Sequence, residues 1–445
     1  MSLTEINEFL ASGEINRPGL FPHLDQLERA SFIFEVDFGL KTTLPTEPGI
    51  ISIRGPRQYG KSTWLERELR QSIIDFGPAS AFYLNGDDIL ERDRLEQAIQ
   101  KLLPAFSKQA AVRRLFIDEI TAIPNWEVVL KKLSDRGHLG DILIVTTGSN
   151  ATDLRRGFER LPGRKGKLDR TNYFFTPIAY KEFHRVCHST LGTNTLAAYL
   201  LSGGSPIACA ELAEQHFLPE YVIELTRDWI DGEIMRADRS RVSLYNILQV
   251  LFKFGGTPVG QAKLAREAGL ANNTVAKGFI TILHDLGVVI PCYPLDADKQ
   301  IPILRKPSKF PITNLLAAVT YFPRRLRSID DFHALSFQEK GIWIEWAVAQ
   351  ELFRRMAIRS EQMLKPLIFW QNKSHEIDFV YSPEHFLEVN YGKSSALEFS
   401  WFAHQFPQKQ LTVINTRSFS TDQISGITLE EFLLSPDCCL SADKV

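Results

Sequence analysis

The chain has 445 residues, which exceeds what one hydrophobic core usually serves, so we expect several domains. A hydrophobic content of 44% and a charged content of 23% are ordinary for a soluble globular protein. The formal net charge of −2 gives no overall attraction to nucleic acid, so any contact with DNA has to come from a local basic patch. The polar N-terminus, the lack of a long apolar run and the unpaired cysteine pattern together predict a cytoplasmic protein that does not enter a membrane.

Residues 1–45 are predicted to be an N-terminal helical segment. Helices are expected at Thr4–Leu10 and at Leu24–Phe38, and Pro45 and Pro48 end the segment before the first strand.

The stretch Ile51–Leu65 reads ISIRGPRQYGKSTWL and predicts a buried strand, a loop and the start of a helix. Its spacing G-x-x-x-x-G-K-[ST] is typical of a phosphate-binding loop, in which glycines let backbone N–H groups approach phosphate oxygens. Lys61 is predicted to reach the β- and γ-phosphates, and the Ser62 hydroxyl to hold Mg²⁺. The predicted nucleotide-binding residues are Gly55, Pro56, Arg57, Gln58, Tyr59, Gly60, Lys61, Ser62 and Thr63.

Two acids follow the third predicted strand. A strand at Ala79–Asn85 and an acidic helix at Asp87–Leu103 lead to the apolar strand Leu115–Ile117, which ends on Asp118 and Glu119. The carboxyl ends of parallel strands face the nucleotide crevice, so this pattern indicates a Walker B motif. Asp118 is predicted to organise Mg²⁺, and Glu119 to act as the general base toward water.

The next strand, Asp141–Thr147, also ends in polar residues. Thr147, Ser149 and Asn150 are candidates for sensing the γ-phosphate, although Ser149 and Asn150 could equally cap the helix that follows at 151–158.

Four arginines come soon afterwards, at positions 155, 156, 160 and 164. Such a run is usually a solvated face, but one arginine past the sensor strand often stabilises the transferring phosphate, in cis or from a neighbouring subunit. Arg164 is our choice for that catalytic role.

Strands alternate with helices up to Tyr173–Phe175, which predicts an α/β fold with a parallel sheet over residues 46–177. Arg17 and Phe21 precede this core and could contact adenine, or Phe21 could simply be packed.

Residues 178–240 are predicted to be a helical lid. The break at Gly203–Pro206 could touch the nucleotide or could be a helix–helix corner. Within residues 241–330, the sequence pattern predicts helices at 244–254, 259–268 and 273–286 and then a strand at Val288–Ile290. This order of elements predicts a winged helix-turn-helix and its connector. Its third helix presents Asn272, Asn273, Thr274 and Lys277, which could touch DNA, although such domains also serve as protein contacts.

Residues 331–445 form the last predicted unit. A helix at Gly341–Arg354 precedes strands at 367–370, 375–380, 386–391 and 411–415. Asp378 and Glu388 on the middle strands, with Glu345 as a possible third acid, have the layout of a two-metal nuclease site.

Taken in order, GPRQYGKST, FIDEI, TTGSN, LPGR, GGSP and the HEIDFV–FLEVN hairpin resemble a prokaryotic AAA-type P-loop ATPase family, close to the STAND and archaeal ATPases. The resemblance covers about residues 15–415 and implies ATP rather than another nucleotide, a winged helix and a C-terminal domain like a restriction endonuclease, of the PD-(D/E)XK type. The nuclease pattern E-x-K is broken because Asn390 stands at the lysine position, and Lys393 follows only past a turn. This predicts a degenerate nuclease fold that binds without cutting.

These observations predict a Mg²⁺-dependent ATPase whose nucleotide state controls a winged helix and an inactive nuclease-like domain. The alternatives are an ATP-regulated DNA-binding protein or nuclease effector, and a scaffold that holds nucleotide with negligible turnover. ATP is the predicted ligand; DNA, an unknown protein and a second copy of the chain are possible partners.

Overall fold

The structure is a computed structural model that describes residues 1–40, 44–161, 166–359 and 365–435. The chain divides into two compact units. The first comprises Met1–Thr176 and a short segment that begins at Ala357; the second comprises Pro177–Met356 and the described residues from 365 onward.

A parallel sheet forms the centre of the first unit. Its strands lie in the order β2-β3-β4-β1-β5, and every neighbouring pair is parallel. All residues of β3 and β4 are buried, which is the pattern of strands covered on both faces. The predicted parallel α/β core is thereby confirmed. The strands are β1 (Gly49–Arg54), β2 (Ala81–Asn85), β3 (Arg114–Asp118), β4 (Leu143–Gly148) and β5 (Asn172–Phe174).

Two helices of this unit precede β1 and the others lie between strands, and two predicted helices are wrong in extent. They are α1 (Leu3–Ser12), α2 (Pro22–Leu27), α3 (Lys61–Phe76), α4 (Gly86–Ile89), α5 (Arg92–Leu102), α6 (Trp126–Asp135) and α7 (Ala151–Glu159). The helix predicted to reach Phe38 ends at Leu27, and the fully buried Phe38 ring instead packs against Trp64 and Phe175. The helix predicted at 87–103 is broken into α4 and α5 because Leu90 has a left-handed backbone, with φ 59°.

The second unit begins with helices and continues with two small sheets. Its helices are α8 (Tyr180–Leu191), α9 (Thr195–Ser202), α10 (Pro206–Gln215), α11 (Glu220–Arg236), α12 (Arg241–Lys253), α13 (Gln261–Glu267), α14 (Asn273–Asp285), α15 (Leu315–Tyr321), α16 (Ile329–His333), α17 (Phe337–Arg359), α18 (Ser400–Gln405) and α19 (Leu429–Leu434). Its strands are β6 (Cys292–Asp296), β7 (Ile301–Pro302), β8 (Leu367–Gln371), β9 (Glu376–Ile377), β10 (Phe379–Val380), β11 (His385–Val389), β12 (Gln410–Ile414), β13 (Phe419–Ser420) and β14 (Ile424–Ile427). The sheet orders are β10-β11-β12-β14-β13 and β7-β6-β8-β9.

Two predicted strands of this unit differ from the structure. Val288–Ile290 is not a strand, since Val289 forms only an isolated bridge with Ile312, and pairing begins at Cys292. The strand predicted at 375–380 is interrupted at Asp378, which separates β9 from β10. Across the described ranges, no helix is both long and apolar enough to cross a membrane.

Candidate functional site

The phosphate loop joins β1 to α3, and its conformation requires glycine at positions 55 and 60. Gly60 has φ 99°, a conformation that L side chains rarely adopt, and it directly precedes the first turn of α3. A Cβ on Gly55 would lie 2.8 Å from the Cβ of Phe175, so a side chain at this position would displace the loop. The backbone can therefore present N–H groups at a helix N-terminus, which is the arrangement that binds phosphate.

Lys61 is folded into this loop. Its Nζ donates hydrogen bonds to the carbonyl oxygens of Gly55, at 3.1 Å, and Pro56, at 2.7 Å. Burial lowers the pKa of Lys61, while the negative charges of Glu119 and Asp118 oppose this effect. Lys61, the residue predicted to bind phosphate, therefore lies near Asp118 and Glu119, the two acids of the predicted Walker B motif.

Asp118 is the last residue of β3, and two hydroxyl groups bind its carboxylate. The carboxylate accepts hydrogen bonds from the hydroxyls of Thr147, on β4, and Ser62, on α3. Burial raises its pKa, and these two hydrogen bonds lower it. Hydroxyl and carboxylate oxygens are the ligand types that Mg²⁺ prefers, so Ser62 and Asp118 fit the predicted metal role.

Glu119 has a backbone conformation that few glutamates adopt. Its φ of 44° and ψ of 45° place it in the left-handed region, where residues other than glycine and asparagine are uncommon. The chain fits there because Gly86 packs against it: a Cβ on Gly86 would lie 2.2 Å from the Glu119 carbonyl oxygen. The Glu119 N–H donates to the Thr147 hydroxyl at 3.1 Å, so one threonine contacts both acids.

Ser149 and Asn150, which follow β4, were each predicted either to sense the γ-phosphate or to cap α7, and their contacts differ. The Ser149 N–H donates to Glu119 Oε2 at 3.0 Å, and the Ser149 hydroxyl accepts from Arg57 Nε at 3.4 Å. Asn150 Oδ1 accepts the N–H of Asp153 at 2.9 Å and caps α7. Ser149 and Thr147 thus face the acids, whereas Asn150 takes the capping alternative.

The part of the chain that carries the phosphate loop and both acids is similar to a known family of domains. Residues 47–184 match the family AAA_14, described as an AAA domain. This part of the chain is an AAA-type P-loop domain. No curated protein sequence matches the chain.

Several solved structures resemble the fold at low identity. The Walker-type ATPase PABY2304 of Pyrococcus abyssi is 12% identical with a TM-score of 0.42, over 68% of this chain and 94% of that one. The ORC2 protein of Aeropyrum pernix, in ADPNP–ADP complexes, is 12% identical with a TM-score of 0.33, over 64% of this chain and 86% of that one. A variant of Thermotoga maritima RuvB is 14% identical with a TM-score of 0.30, over 54% and 81%.

The N-terminal segment binds to the phosphate-loop helix of the AAA domain. Glu66, one turn after Ser62 on α3, accepts the N–H groups of His23, at 3.0 Å, and Leu24, at 3.1 Å. Its other oxygen lies 2.6 Å from His23 Nδ1, and this hydrogen bond raises the pKa of His23. Phe21 belongs to the hydrophobic core, which is the packing alternative rather than an adenine contact.

The arginines that follow the sensor strand take different positions. Arg155 pairs with Glu159 at 2.8 Å, and Arg160, just past the end of α7, pairs with the buried Glu127 at 2.6 Å. Arg164, the predicted catalytic arginine, lies outside the described residues, so its role stays a prediction.

The Gly-Gly-Ser-Pro break in the helical part is a tightly packed corner between α9 and α10. A Cβ on Gly203 would lie 2.4 Å from the Leu316 nitrogen, and one on Gly204 would lie 2.6 Å from the Ile178 carbonyl oxygen. The Ile178 N–H also donates to the Gly204 carbonyl at 2.9 Å. These contacts within the second unit support the corner interpretation.

Three helices and a β-hairpin occupy the region predicted to be a winged helix. Helices α12, α13 and α14 are followed by the antiparallel pair β6 and β7. Asn272 caps α14 by accepting the Val275 N–H at 3.0 Å, whereas Asn273, Thr274 and Lys277 are exposed. The winged-helix assignment and its DNA contact stay predictions.

A buried lysine, which no sequence motif predicted, lies among the acids that were predicted to form a nuclease-like site. Lys309 Nζ is 2.6 Å from Asp378 Oδ1, 2.7 Å from Glu376 Oε1 and 3.5 Å from Glu345 Oε1. Its side chain is 1% exposed. Although burial alone would lower the pKa of Lys309, the surrounding carboxylates raise it well above its usual value.

The carboxyl groups around Lys309 are themselves perturbed. Burial raises the pKa of Glu345 to about 7, against the opposing effect of Lys309. Burial, with repulsion from Asp378, also raises the pKa of Glu388 well above its usual value. Among the described residues, no group of three or more His, Cys, Asp or Glu side chains is arranged to hold a metal ion. A lysine from outside the motif thus supplies the cation among these acids.

Proposed function

We propose that the chain is a Mg²⁺-dependent ATPase, and the site around Asp118 carries the proposal. There a buried carboxylate, bound by the hydroxyls of Ser62 and Thr147, lies in the same site as Lys61 and Glu119. The family match of residues 47–184 to an AAA domain supports the same activity.

In the proposed mechanism, each residue has a distinct task. Lys61 exchanges the carbonyl oxygens of Gly55 and Pro56 for phosphate oxygens. Asp118 and Ser62 would hold Mg²⁺, which neutralises charge on the β- and γ-phosphates when bound. Glu119 accepts a proton from water as the water oxygen attacks the γ-phosphorus. The bond between that phosphorus and the β–γ bridging oxygen breaks, and its electron pair leaves on ADP.

Two substitutions test the proposal. Lys61→Ala should abolish ATP binding, whereas Glu119→Gln should keep binding and lose hydrolysis, because an amide cannot accept the proton. Binding is measured by titration with a fluorescent ATP analogue, and turnover by phosphate release. Lys101→Ala and Glu8→Gln, at exposed positions on α5 and α1, are matched controls. Unchanged turnover in both site variants would contradict the assignment, and retained ADP with negligible turnover of the unaltered protein would favour the scaffold alternative.

We propose that nucleotide state acts on the winged-helix region and on a nuclease-like domain that binds without cutting. The ammonium group of a lysine has three N–H donors, and three carboxylates lie within 3.5 Å of the Lys309 Nζ. Lys309 is 1% exposed and is engaged by these carboxylates instead of being turned outward. Together with Asn390 at the motif lysine position, this favours binding over cleavage.

The nuclease alternative is tested on DNA. We expect no cleavage when the protein is incubated with plasmid, Mg²⁺ and ATP. Cleavage that disappears in Asp378→Ala would promote the nuclease alternative instead. Native mass measurement with ATP, with ADP and without nucleotide would report the bound ligand and the assembly state together.

A further inference from the structure

The phosphate loop carries a second basic side chain, Arg57, to which the mechanism above gives no catalytic task. We propose that Arg57 is a catalytic residue that contacts the γ-phosphoryl group from within the same chain and stabilises its charge during hydrolysis. This inference rests on the proposed ATPase function and adds a residue to the same site.

The contacts of Arg57 place its side chain beside the predicted base. Arg57 follows Pro56 in the loop between β1 and α3, and its Nε donates to the Ser149 hydroxyl at 3.4 Å. The backbone N–H of the same Ser149 donates to Glu119 Oε2 at 3.0 Å. The guanidinium and the carboxylate of Glu119 therefore meet at a single residue at the end of β4.

The charge of Arg57 also acts on helix α4, which follows β2, and this agrees with its position. Burial and the charge of Glu119 raise the pKa of Asp87, and Arg57 opposes them. Arg57 therefore contacts Ser149, which binds Glu119, and its charge also reaches Asp87 on α4.

Arg57 is also more available than Arg155 and Arg160, two of the arginines that follow the sensor strand. In the part of the chain that the structure describes, no ion pair with a carboxylate engages Arg57, whereas Arg155 and Arg160 are both paired. The side chain of Arg57 is exposed and is held at Ser149 by one long hydrogen bond. A phosphate can therefore draw the guanidinium away at little cost.

The chemistry of the guanidinium suits this task. It is always charged and presents a planar fork of donors that matches phosphate oxygens. Charge spreads over the three equatorial oxygens of the γ-phosphoryl group in the transition state, and an arginine placed there accelerates hydrolysis by about 10³–10⁵. Arg57 transfers no proton, since the proton of the attacking water goes to Glu119.

The experiment compares Arg57→Ala, Arg57→Lys and Ser149→Ala with the control Arg67→Ala. Arg67 is an exposed arginine of α3 that lies 3.7 Å from Glu68 and outside the site, so its variant matches the loss of charge. We expect Arg57→Ala to lower kcat at least about 100-fold, with the Kd for ADP changed less than about threefold. Arg57→Lys should recover part of kcat, and Ser149→Ala should lose less than about tenfold because it removes only the resting contact.

A transition-state analogue provides a readout that a structural role would not move. ADP with aluminium fluoride should be retained by the unaltered protein and by Arg67→Ala, and should be lost from Arg57→Ala. A kcat of Arg57→Ala within about threefold of the unaltered value, or full retention of the analogue, would overturn the inference. An equal loss in Ser149→Ala would also overturn it, since Arg57 would then act only by positioning that loop.

Failure of this inference is distinct from failure of the proposed function. If the unaltered protein hydrolyses ATP and Arg57→Ala does so equally well, the ATPase assignment stands and the role of Arg57 is wrong. A loss of kcat in Arg164→Ala together with an active Arg57→Ala would assign the role to Arg164. A purified protein without Lys61-dependent hydrolysis would refute both proposals.

Discussion

The buried lysine of the second unit, Lys309, gives a quantitative prediction. Lys309 is 1% exposed, and its Nζ lies 2.6 Å from Asp378; removing one partner of a buried ion pair costs about 3–5 kcal/mol. Lys253 and Glu267 are also 2.6 Å apart, but the Lys253 side chain is 62% exposed, and exposed pairs contribute about 0–1 kcal/mol. Lys309→Met should therefore lower the free energy of unfolding by at least about 2 kcal/mol more than Lys253→Met.

Urea denaturation would measure this difference. Trp370 and Trp401, whose ring centroids are 5.8 Å apart, report unfolding of the second unit through tryptophan fluorescence. Adding Asp378→Asn to Lys309→Met should restore part of the lost stability, because it removes a carboxylate left without its cation. Equal losses in the Lys309 and Lys253 variants would refute the conclusion that a buried cation holds these acids together.

Three further predictions concern the site and its pH dependence. Thr147→Val removes a hydroxyl that contacts both acids and should lower kcat about 10- to 100-fold in a phosphate-release assay; an unchanged kcat would contradict this positioning role. Gly86→Ala should abolish hydrolysis and lower Tm because its Cβ would lie 2.2 Å from the Glu119 carbonyl oxygen, whereas Gly140→Ala, whose nearest neighbour is at 3.5 Å, should do neither. Burial raises the pKa of Glu345 from 4.5 to about 7, so its contribution to stability is complete below pH 4.5 and is lost as pH rises through 7. Unfolding free energies measured across this range should show a decline that Glu345→Gln reduces, and an identical decline in the variant would exclude Glu345 as its source.

The phosphate loop could be predicted from the sequence because its chemistry is local. The glycines and Lys61 lie within a few positions of one another, and the strand and helix that the motif requires are adjacent to it. The left-handed backbone of Glu119 could not be predicted, because it depends on the close approach of Gly86 from another part of the chain.

Lys309 shows the same limit more strongly. It is 36 residues from Glu345 and 69 from Asp378, so no spacing rule connects them. The sequence revealed that a lysine was missing at position 390, but only the fold shows which lysine lies among the acids. The helix predicted up to Phe38 failed for a related reason, since the packing of that ring against Trp64 outweighs the local helical pattern.

The backbone of Glu119 sets stability against activity. A residue other than glycine or asparagine costs about 1–2 kcal/mol in the left-handed region, where Glu119 has φ 44°. Glycine at this position would relieve that strain and remove the predicted base in the same step. Selection of variants for thermal stability alone would thus favour loss of Glu119, the predicted general base. Engineering of this protein for stability therefore has to leave position 119 unchanged.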